Sequence, residues 1–437
     1  MGVGYLASYL KKNTESDVYI IDTTFARSFN FVLEKLREYK PDILGIYIDV
    51  VMAKDAVAIA DWAKANSIFT ILGGPQATIL PEAFIEHADI IVQGEGELIF
   101  AKLIKNFGEK DLSHIAGIWW KKGKEVVKNS PNHDFVNLDD IPFPSRELLP
   151  MDKYLYYWNY LDVLDIQKGG TTMIASRGCS YSCSYCQPAL KKMFGGRLRS
   201  RSPGNVIEEI KTLQERYSIN RIFFHDDTFT VDHSWLKEFC ESLEDERISI
   251  LWGCNSRIDT VNKNILTMMY QSGLRKIHFG IESASQRILD DIYNKNIRID
   301  TAKEILFLSK KIGIYNMGFF MLGAPTETVK EINNTIAFSN TLGLDEASFS
   351  LVTPLAGTYL NDRESNGSDA MYRIYEHLNY YSRYSIKGGL SHKRVKFFQL
   401  KAFVLFYLYP FQLIYIIKHL FSARGIKKLL IKIRRTI

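Results

Sequence analysis

The chain has 437 residues, of which 46% are hydrophobic and 24% charged, and its formal net charge is +6. This length and composition predict a globular protein of two or three domains that buries sizeable cores. Five cysteines, an odd number in a chain of this length, exclude a disulfide-rich scaffold and favour a reducing, cytoplasmic setting. The first five residues lack the basic start and apolar core of a secretory signal, which agrees with that location.

Residues 1–108 alternate short apolar segments with amphipathic ones. The expected strands are residues 18–22, 43–48, 68–72 and 90–92, and the expected helices include residues 29–39 and 53–65. Continuous apolar strands separated by helices predict a parallel sheet covered on both faces. Ligands of such sheets bind at the carboxyl ends of the strands. Two glycine-rich turns follow strands there, at residues 73–78 and 94–97.

Residues 109–166 connect this domain to the next. Residues 115–127 have a Lys-Lys-Gly-Lys turn between apolar arms and predict a β-hairpin. Residues 139–144 carry two prolines and predict a linker, where the chain leaves one domain and enters another.

Three cysteines at C-x3-C-x2-C spacing, Cys179, Cys183 and Cys186, follow an apolar run that ends in a glycine. This pattern predicts a strand that delivers the cysteines into a loop at its carboxyl end. Three thiolates so close together can hold three corners of an iron–sulfur cluster and leave the fourth iron an open position. The alternative is structural zinc, but zinc sites almost always have four protein ligands. The remaining cysteines, Cys240 and Cys254, occur singly and far downstream.

Residues 167–362 contain six strand patterns with helices between them, at residues 172–176, 221–225, 248–253, 276–280, 315–322 and 346–352. Six βα units in a row predict a partial parallel barrel whose chemistry gathers at the carboxyl ends of the strands. Polar motifs follow the strands as this rule requires. Asp226-Asp227 comes after the second strand, Arg257 ends the third, and Gly280-Ile281-Glu282-Ser283 ends the fourth.

The cysteine spacing, the aromatic residue before the third cysteine and the strand-end motifs together resemble the radical S-adenosylmethionine (SAM) superfamily. The resemblance implies that the three cysteines ligate a 4Fe-4S cluster and that SAM chelates its open iron. It implies a SAM site formed by Tyr185, Arg199, Arg201, Arg257, Gly280, Glu282 and Ser283. In that site Tyr185 lies against the adenine, the Glu282 carboxylate binds the amino group, and Arg199 and Arg201 lie near the carboxylate of SAM. The alternative for these two arginines is a solvated loop.

Asp226 and Asp227 are the predicted catalytic residues. The resemblance implies that they support the SAM ribose or the substrate, and two adjacent carboxylates can also exchange protons. The alternative is that one of them caps the helix that follows.

The two glycine-rich turns and the Tyr-Leu-Ala-Ser-Tyr-Leu segment near the start resemble the cobalamin-binding domain that precedes the barrel in one radical SAM subfamily. The resemblance implies a cobalamin site formed by Gly73, Gly74, Gln76, Thr78, Gly94, Glu95 and Gly96. The chain has no Asp-x-His-x-x-Gly motif, so no histidine is expected on the lower face of the cobalt. It also begins at what resembles the domain's first helix, so the usual first strand is expected to be missing.

Residues 363–437 are basic and aromatic, with mostly helical patterns. The apolar run at residues 402–417 is shorter than the roughly 20 residues needed to span a bilayer, and Pro410 interrupts it. The basic and apolar residues beyond it predict an amphipathic helix on the cytoplasmic face of a membrane. The alternative is a helical cap packed on the barrel. Neither extra cysteines nor an added RNA-binding module is seen, so no nucleic-acid partner is expected.

The sequence thus predicts an α/β protein with a Rossmann-like, flavodoxin-type domain, a partial (β/α)6 TIM-like barrel and a helical C-terminal region. The resemblance implies a radical SAM enzyme that uses a 4Fe-4S cluster, SAM and cobalamin to methylate an unactivated carbon of a lipid-like or secondary-metabolite substrate. It also implies an external electron donor such as a flavodoxin or ferredoxin. The alternatives are a cyclase, rearrangement or coupling enzyme of the same subfamily, and a decayed, non-catalytic member.

Overall fold

The computed structural model describes residues 1–26, 28–158, 170–186, 188–364, 389–410 and 412–413. The N-terminal part consists of α1 (Gly2–Asn13), α2 (Phe29–Tyr39), β1 (Ile43–Tyr47), α3 (Ala53–Ala65), β2 (Phe69–Gly73), α4 (Pro75–Ile79), α5 (Pro81–Phe84), β3 (Ile90–Val92), α6 (Gly96–Lys105), β4 (Ile118–Lys122) and β5 (Glu125–Lys128). Short 3₁₀ helices lie at Ile85–His87, Leu138–Asp140 and Arg146–Leu148.

The first sheet has the strand order β1-β2-β3-β4-β5. β1, β2 and β3 are parallel, whereas β4 is antiparallel to β3 and forms a hairpin with β5. The parallel sheet, the hairpin and helices α2 and α3 confirm the predictions made for them. The hairpin extends the same sheet, so this sheet continues beyond residue 108, where the sequence predicts the first domain to end.

The strand predicted at residues 18–22 is wrong, because these residues form no ladder in the structure. The segment is held by its side chains instead. The Tyr19 ring stacks on the Tyr39 ring of α2 at 4.6 Å, and Val18 packs against the first domain's core. An apolar run can be held by side-chain contacts such as these without backbone pairing, and hydrophobic periodicity alone does not distinguish such a segment from a strand.

The second part consists of α7 (Met151–Tyr157), β6 (Gly170–Met173), β7 (Ser176–Arg177), α8 (Pro188–Phe194), β8 (Arg199–Ser200), α9 (Pro203–Tyr217), β9 (Arg221–Phe224), α10 (His233–Asp245), β10 (Leu251–Arg257), α11 (Lys263–Gln271), β11 (Leu274–Glu282), α12 (Ile299–Ile312), β12 (Tyr315–Leu322), α13 (Val329–Thr341), β13 (Glu346–Leu351), α14 (Tyr359–Glu364) and α15 (His392–Tyr407). A 3₁₀ helix at Ile258–Thr260 and a π-helical turn at Ile288–Ile292 complete it.

Six of these strands form one parallel sheet in the order β6-β9-β10-β11-β12-β13. This half-barrel confirms the predicted architecture. Along β12 the residues alternate strictly in exposure. Gly318, Phe320 and Leu322 are buried beneath helices, whereas the residues between them are partly exposed on the concave face. The interior of the half-barrel, which we call the lumen, is therefore partly accessible along β12.

The described part of the C-terminal region packs on the barrel. On α15 the side chains of Val395, Phe398, Ala402 and Phe406 are buried, and the Gln399 amide donates a hydrogen bond to a carbonyl of β13 at 2.7 Å. This helix thus covers the outer face of β13. Among the described residues, no helix is both long and apolar enough to cross a membrane. The predicted amphipathic helix at residues 424–435 lies outside the described residues.

A buried carboxylate joins the linker, the barrel and the first domain. Glu209 of α9 is 1% exposed, and it pairs with Arg146 at 3.0 Å and with Arg201 at 2.5 Å. Arg146 belongs to the linker and also donates to Thr171 at the start of the barrel. Arg201 also donates to the hydroxyl of Tyr5 in α1. One carboxylate therefore neutralises two buried cations from different segments.

We expect Glu209→Gln to lower the free energy of unfolding by about 3 kcal/mol or more, because two buried guanidiniums lose their counter-charge. The neighbouring Glu208 is the matched control. It pairs with Lys211 on the exposed side of the same helix, and Glu208→Gln should cost no more than about 1 kcal/mol. Urea unfolding followed by circular dichroism measures both, and equal losses for the two variants would contradict this assignment.

Candidate functional site

The three cysteines lie on a loop, residues 178–198, that starts at the mouth of the barrel. Gly178 opens the loop with a φ of +87°, and a Cβ there would lie 2.4 Å from the Arg197 carbonyl oxygen, so only glycine fits. The antiparallel pair β7 and β8 closes the loop at its neck, with Ser176 opposite Ser200. We call residues 178–198 the cluster loop.

The thiols of the cluster loop are accessible. Cys179 and Cys183 are partly exposed and Cys186 is exposed, whereas Cys240 and Cys254 are buried in the barrel core. None of the five forms a disulfide in the described residues. Partial burial raises the pKa of the Cys179 thiol, and metal binding would reverse this by deprotonating it.

The donor set fits an iron–sulfur cluster. Within the described part of the chain, no three metal-ligating side chains converge on one metal position. A 4Fe-4S cluster does not require such convergence, because each thiolate binds a different iron atom. Cys179, Cys183 and Cys186 therefore fit three corners of one cluster.

The cluster loop is anchored to the segment that follows β11. The Ser184 amide donates to the Tyr293 carbonyl at 2.9 Å, and the Asn294 amide donates to the Ser182 carbonyl at 3.0 Å. The Tyr185 ring meets the Tyr293 ring edge-on at 5.0 Å. The segment emerges from the π-helical turn, a distortion that is frequent at functional sites.

Glu282 ends β11 beside the cluster loop. Its carboxylate accepts hydrogen bonds from the Lys295 ammonium at 2.7 Å and from the Tyr185 hydroxyl at 3.1 Å. Its φ is +68°, a strained value for a residue with a side chain, and the ladder register shifts at this point. A Cβ at Gly280 would lie 2.6 Å from both the Glu282 and the Lys295 side chains, so glycine leaves room for the pair.

The ion pair between Glu282 and Lys295 indicates which ligand group the Glu282 carboxylate can bind. Glu282 already holds a primary ammonium, which is the group that it is predicted to bind in SAM. Burial, followed by the charge of Glu282, raises the pKa of Tyr185 well above its usual value. Lys295 is 5% exposed and was missed by the sequence reasoning, since it lies in a polar turn without a recognisable motif.

Ser283 is fully buried. Its hydroxyl accepts a hydrogen bond from the Ser285 amide and lies 3.3 Å from the Thr335 hydroxyl. In this position it braces the turn that carries Glu282. Its contact with SAM stays a prediction.

Arg257 ends β10 next to the cysteines. Its Nη1 lies 3.6 Å from the Cys183 sulfur, and its guanidinium stacks on the Tyr181 ring at 3.8 Å. Two hydrogen bonds to Asp259, at 2.9 and 2.8 Å, fix its orientation. Hydrogen bonds to cluster sulfurs tune the reduction potential, so Arg257 is in a position to affect the cluster as well as SAM.

Asp226 and Asp227 differ in environment. Asp226 is 2% exposed and accepts hydrogen bonds from the Ala175 amide at 3.1 Å and the Ser176 hydroxyl at 2.5 Å, just before the cluster loop. Burial raises its pKa to about 6. Asp227 is reachable from the open mouth, yet the surrounding walls remove much of its hydration. This desolvation, with the charge of Asp226, raises its pKa to about 7.

The alternative role of these two residues as a helix cap is wrong. The cap of α10 is Asp232, which accepts hydrogen bonds from the Ser234 and Trp235 amides at 3.0 Å each. Asp226 and Asp227 are thus left at the barrel mouth. Their catalytic role stays a prediction.

Arg199 and Arg201 are engaged by protein groups. Arg201 lies in the Glu209 network described above, and Arg199 pairs with Glu95 of the first domain. Their predicted contact with the SAM carboxylate stays a prediction.

The glycine-rich turns of the first domain lie together at the ends of β2 and β3. The Thr78 hydroxyl accepts a hydrogen bond from the Gly94 amide at 3.0 Å and so joins the two turns. Gln76 is 8% exposed, and its side-chain oxygen has no hydrogen-bond partner in the described part of the chain. A buried polar atom without a partner is costly, which fits a site that a polar cofactor completes. Gly73, Gly74 and Gly96 border the same turns.

Comparison with known proteins agrees with this geometry. A model of the radical SAM superfamily matches residues 173–339, and a model of the B12 binding domain matches residues 1–104. An uncharacterised methyltransferase of Pyrococcus horikoshii is 35% identical over 367 residues, which cover 82% of this chain and 77% of that protein.

Two solved structures show the same fold. The radical SAM methyltransferase TsrM from Kitasatospora setae, solved with its tryptophan substrate and a SAM analogue, has a TM-score of 0.70 at 17% identity, covering 82% of this chain and 72% of that one. The cobalamin-dependent enzyme OxsB, solved with aqua-cobalamin and SAM, has a TM-score of 0.66 at 21% identity, covering 86% of this chain and 52% of that one.

A cysteine loop at the mouth of a half-barrel, next to a B12-binding domain, is the arrangement of a radical SAM enzyme that uses cobalamin. The chain belongs to the radical SAM superfamily and carries a B12 binding domain, and it is related to the Pyrococcus methyltransferase named above. Its cofactors are a 4Fe-4S cluster, SAM and cobalamin.

We expect Cys183→Ala to abolish the iron-based absorbance and the formation of 5′-deoxyadenosine from SAM, because two thiolates hold the cluster too weakly. Cys240→Ala is the matched control, since Cys240 is buried on α10 away from the loop. Absorbance spectra and chromatography of anaerobically reconstituted protein measure both properties. Unchanged SAM cleavage in Cys183→Ala would rule out the ligand assignment.

Proposed function

We propose that the protein transfers a methyl group to an unactivated carbon of a small apolar or lipid-like molecule that enters the lumen. When bound, the cluster, SAM and cobalamin supply the radical that removes a hydrogen from this carbon and the methyl group that replaces it. The residues of the chain bind and orient these groups and shield the reaction from water.

The roles at the mouth follow from the contacts. Cys179, Cys183 and Cys186 would hold the cluster, and the Glu282 carboxylate, which pairs with the Lys295 ammonium at 2.7 Å, would bind the amino group of SAM in its place. Lys295 would then be a buried cation suited to the SAM carboxylate. Asp227 stands at the mouth with a pKa near neutrality, which suits a group that exchanges protons with the substrate.

The cobalamin contacts are assigned to the joined turns of the first domain. Gln76, with its unpartnered oxygen, would bind a polar group of the corrinoid, and Gly73, Gly74, Thr78 and Gly94 would let the ring approach the backbone closely. Because position 76 is a glutamine, this position would offer cobalamin an amide and not an imidazole.

The lining of the lumen is the observation that carries the substrate class. The partly exposed face of β12 presents Tyr315, Met317, Phe319 and Met321, which suits an apolar or aromatic group. His278 lies beside this face on the neighbouring strand β11, with its ring 5.6 Å from the Phe319 ring. Burial lowers the pKa of His278 to about 3, so the imidazole is neutral. Its Nε2 has no hydrogen-bond partner in the described residues, and it can therefore bond to a polar atom of the substrate.

The electron donor is an external protein such as a flavodoxin or ferredoxin, and the enzyme acts in the cytoplasm without a nucleic-acid partner. We assign peripheral membrane contact to α15. Its outer side exposes Phe397 (61%) and Leu400 (64%), and Leu408, directly after the helix, is 59% exposed. No acidic residue occurs in the chain after Glu376. An apolar face within a basic region is the combination that binds anionic membrane surfaces.

Anaerobic incubation with SAM labelled in its methyl group, a reductant and a cell lipid extract tests the methyl transfer. We expect 5′-deoxyadenosine together with a labelled, apolar product identified by mass spectrometry. Met317→Asp should abolish product labelling but retain SAM cleavage, because Met317 lies opposite His278 on the ladder, below the Glu282–Lys295 pair at the mouth. A product that gains a ring or a new linkage without the label would favour the cyclase or coupling alternative.

Vesicle sedimentation tests the membrane contact. Binding to vesicles that contain phosphatidylserine should weaken with salt but persist, and Phe397→Ser with Leu400→Ser should reduce it by at least about tenfold because buried apolar area is lost. Phe307→Ser is the matched control, since Phe307 is 68% exposed on α12. SAM cleavage should stay unchanged in all variants. Truncation within α15 is unsuitable, because Phe398 and Phe406 belong to the barrel core. Equal binding by the double variant would exclude this surface.

A further inference from the structure

Two arginines face each other at the neck of the cluster loop. Arg177 of β7 and Arg199 of β8 are direct partners in the antiparallel ladder that closes the loop. Both side chains are largely buried, at 12% and 14% exposure. Like charges directly opposite each other destabilise a β-ladder, and burial makes unpaired cations still more costly. The neck is therefore stable only if anions neutralise this pair.

The anions come from the first domain. Glu95, the residue before α6, pairs with Arg177 at 3.1 Å and also contacts Arg199. Glu97 in the first turn of α6 pairs with Arg177 at 2.7 Å. Both carboxylates are 7% exposed. Among the described residues, the ion-pair partners of the two arginines are these carboxylates of the Gly-Glu-Gly-Glu turn.

Further contacts of these two arginines also come from outside the barrel. The Arg177 guanidinium lies over the Tyr5 ring of α1 at 5.5 Å, and that of Arg199 lies over the Phe135 ring at 4.4 Å. Arg199 also donates to the Val136 carbonyl at 3.2 Å. The barrel thus supplies the cations of the neck, and the N-terminal region supplies the groups that hold them.

We propose that Glu95 and Glu97 are positioning residues that hold the cluster loop closed from the first domain. Cys179 is only two residues from Arg177, so an open neck would displace the first of the thiols that bind the cluster. Retention of the cluster and the geometry of SAM on it then depend on the docking of the first domain. The inference rests on the proposed role of the cysteines as cluster ligands, and it assigns to Glu95 a task other than a direct cobalamin contact.

The test uses two single variants, Glu95→Gln and Glu97→Gln, and one double variant that combines Glu95→Gln and Arg199→Gln. Glu86→Gln is the matched control, because Glu86 pairs with Lys121 on the surface of the same domain. The measurements are the rate at which a chelator bleaches the reconstituted cluster, the change in its paramagnetic resonance spectrum when SAM is added, and the affinity for aquacobalamin.

We expect Glu95→Gln to accelerate cluster loss by about tenfold or more, since both arginines lose their partner. Glu97→Gln should have a smaller effect, because Glu95 still bridges the pair. The double variant should lose its cluster more slowly than Glu95→Gln, because one of the two facing cations has been removed. The SAM-induced spectral change should be diminished in the same order, whereas corrinoid affinity and the control variant should match the wild type.

Cluster loss at the wild-type rate in both single variants would overturn the proposal. So would a loss of corrinoid affinity in Glu95→Gln without faster cluster loss, which would make Glu95 a cobalamin contact. If Glu95→Gln lowers the thermal midpoint of the whole fold, the rates of cluster loss in Glu97→Gln and in the double variant test the proposal instead. The proposal is overturned if the double variant loses its cluster as fast as Glu95→Gln and Glu97→Gln loses it at the wild-type rate. A wild-type protein that takes up no cluster would contradict the proposed function itself. This result is distinct from a failure of the positioning role, in which the wild-type protein binds the cluster and the variants retain it equally well.

Discussion

Buried carboxylates that join cations from separate segments are the interaction on which the arrangement of the two domains depends. Glu209 neutralises Arg146 and Arg201, and Glu95 neutralises the facing arginines of the loop neck. A buried charge that loses its partner costs several kcal/mol, about 3–5 in measured cases, so each segment requires the others to be in place. The strand-end turns of the first domain are thereby held beside the cluster loop.

The same edge of the barrel also concentrates the chemistry. Parallel strands end at one side of a sheet, so motifs that are far apart in the chain meet there. The backbone is strained at Glu282, which adopts a left-handed conformation at a register shift of the ladder. Such strain persists at functional sites because the surrounding contacts impose it. Here the contacts are those of Lys295 and Tyr185.

The local patterns of the sequence predicted much of this fold. Helices α2 and α3 begin and end where their patterns do, and the hairpin and the six-stranded half-barrel form as expected. The strand predicted at residues 18–22 is absent because side-chain packing on α2 holds that segment. The helix cap weighed for Asp226 and Asp227 is supplied by Asp232 instead, and a single sequence offers no way to rank such neighbouring caps.

The sequence by itself determined the cofactor chemistry. Ligand type and spacing are local properties, so three cysteines in eight residues were sufficient to predict a cluster, and the family resemblance that they and the strand-end motifs carry implied SAM. Only the tertiary structure decided the partners of the charged residues. Lys295 reaches Glu282, and Glu95 reaches Arg177 and Arg199, because chain segments distant in sequence fold against one another. No local pattern encodes such pairs, since a charged side chain in a loop looks the same in sequence whether it is solvated or buried with a counter-charge.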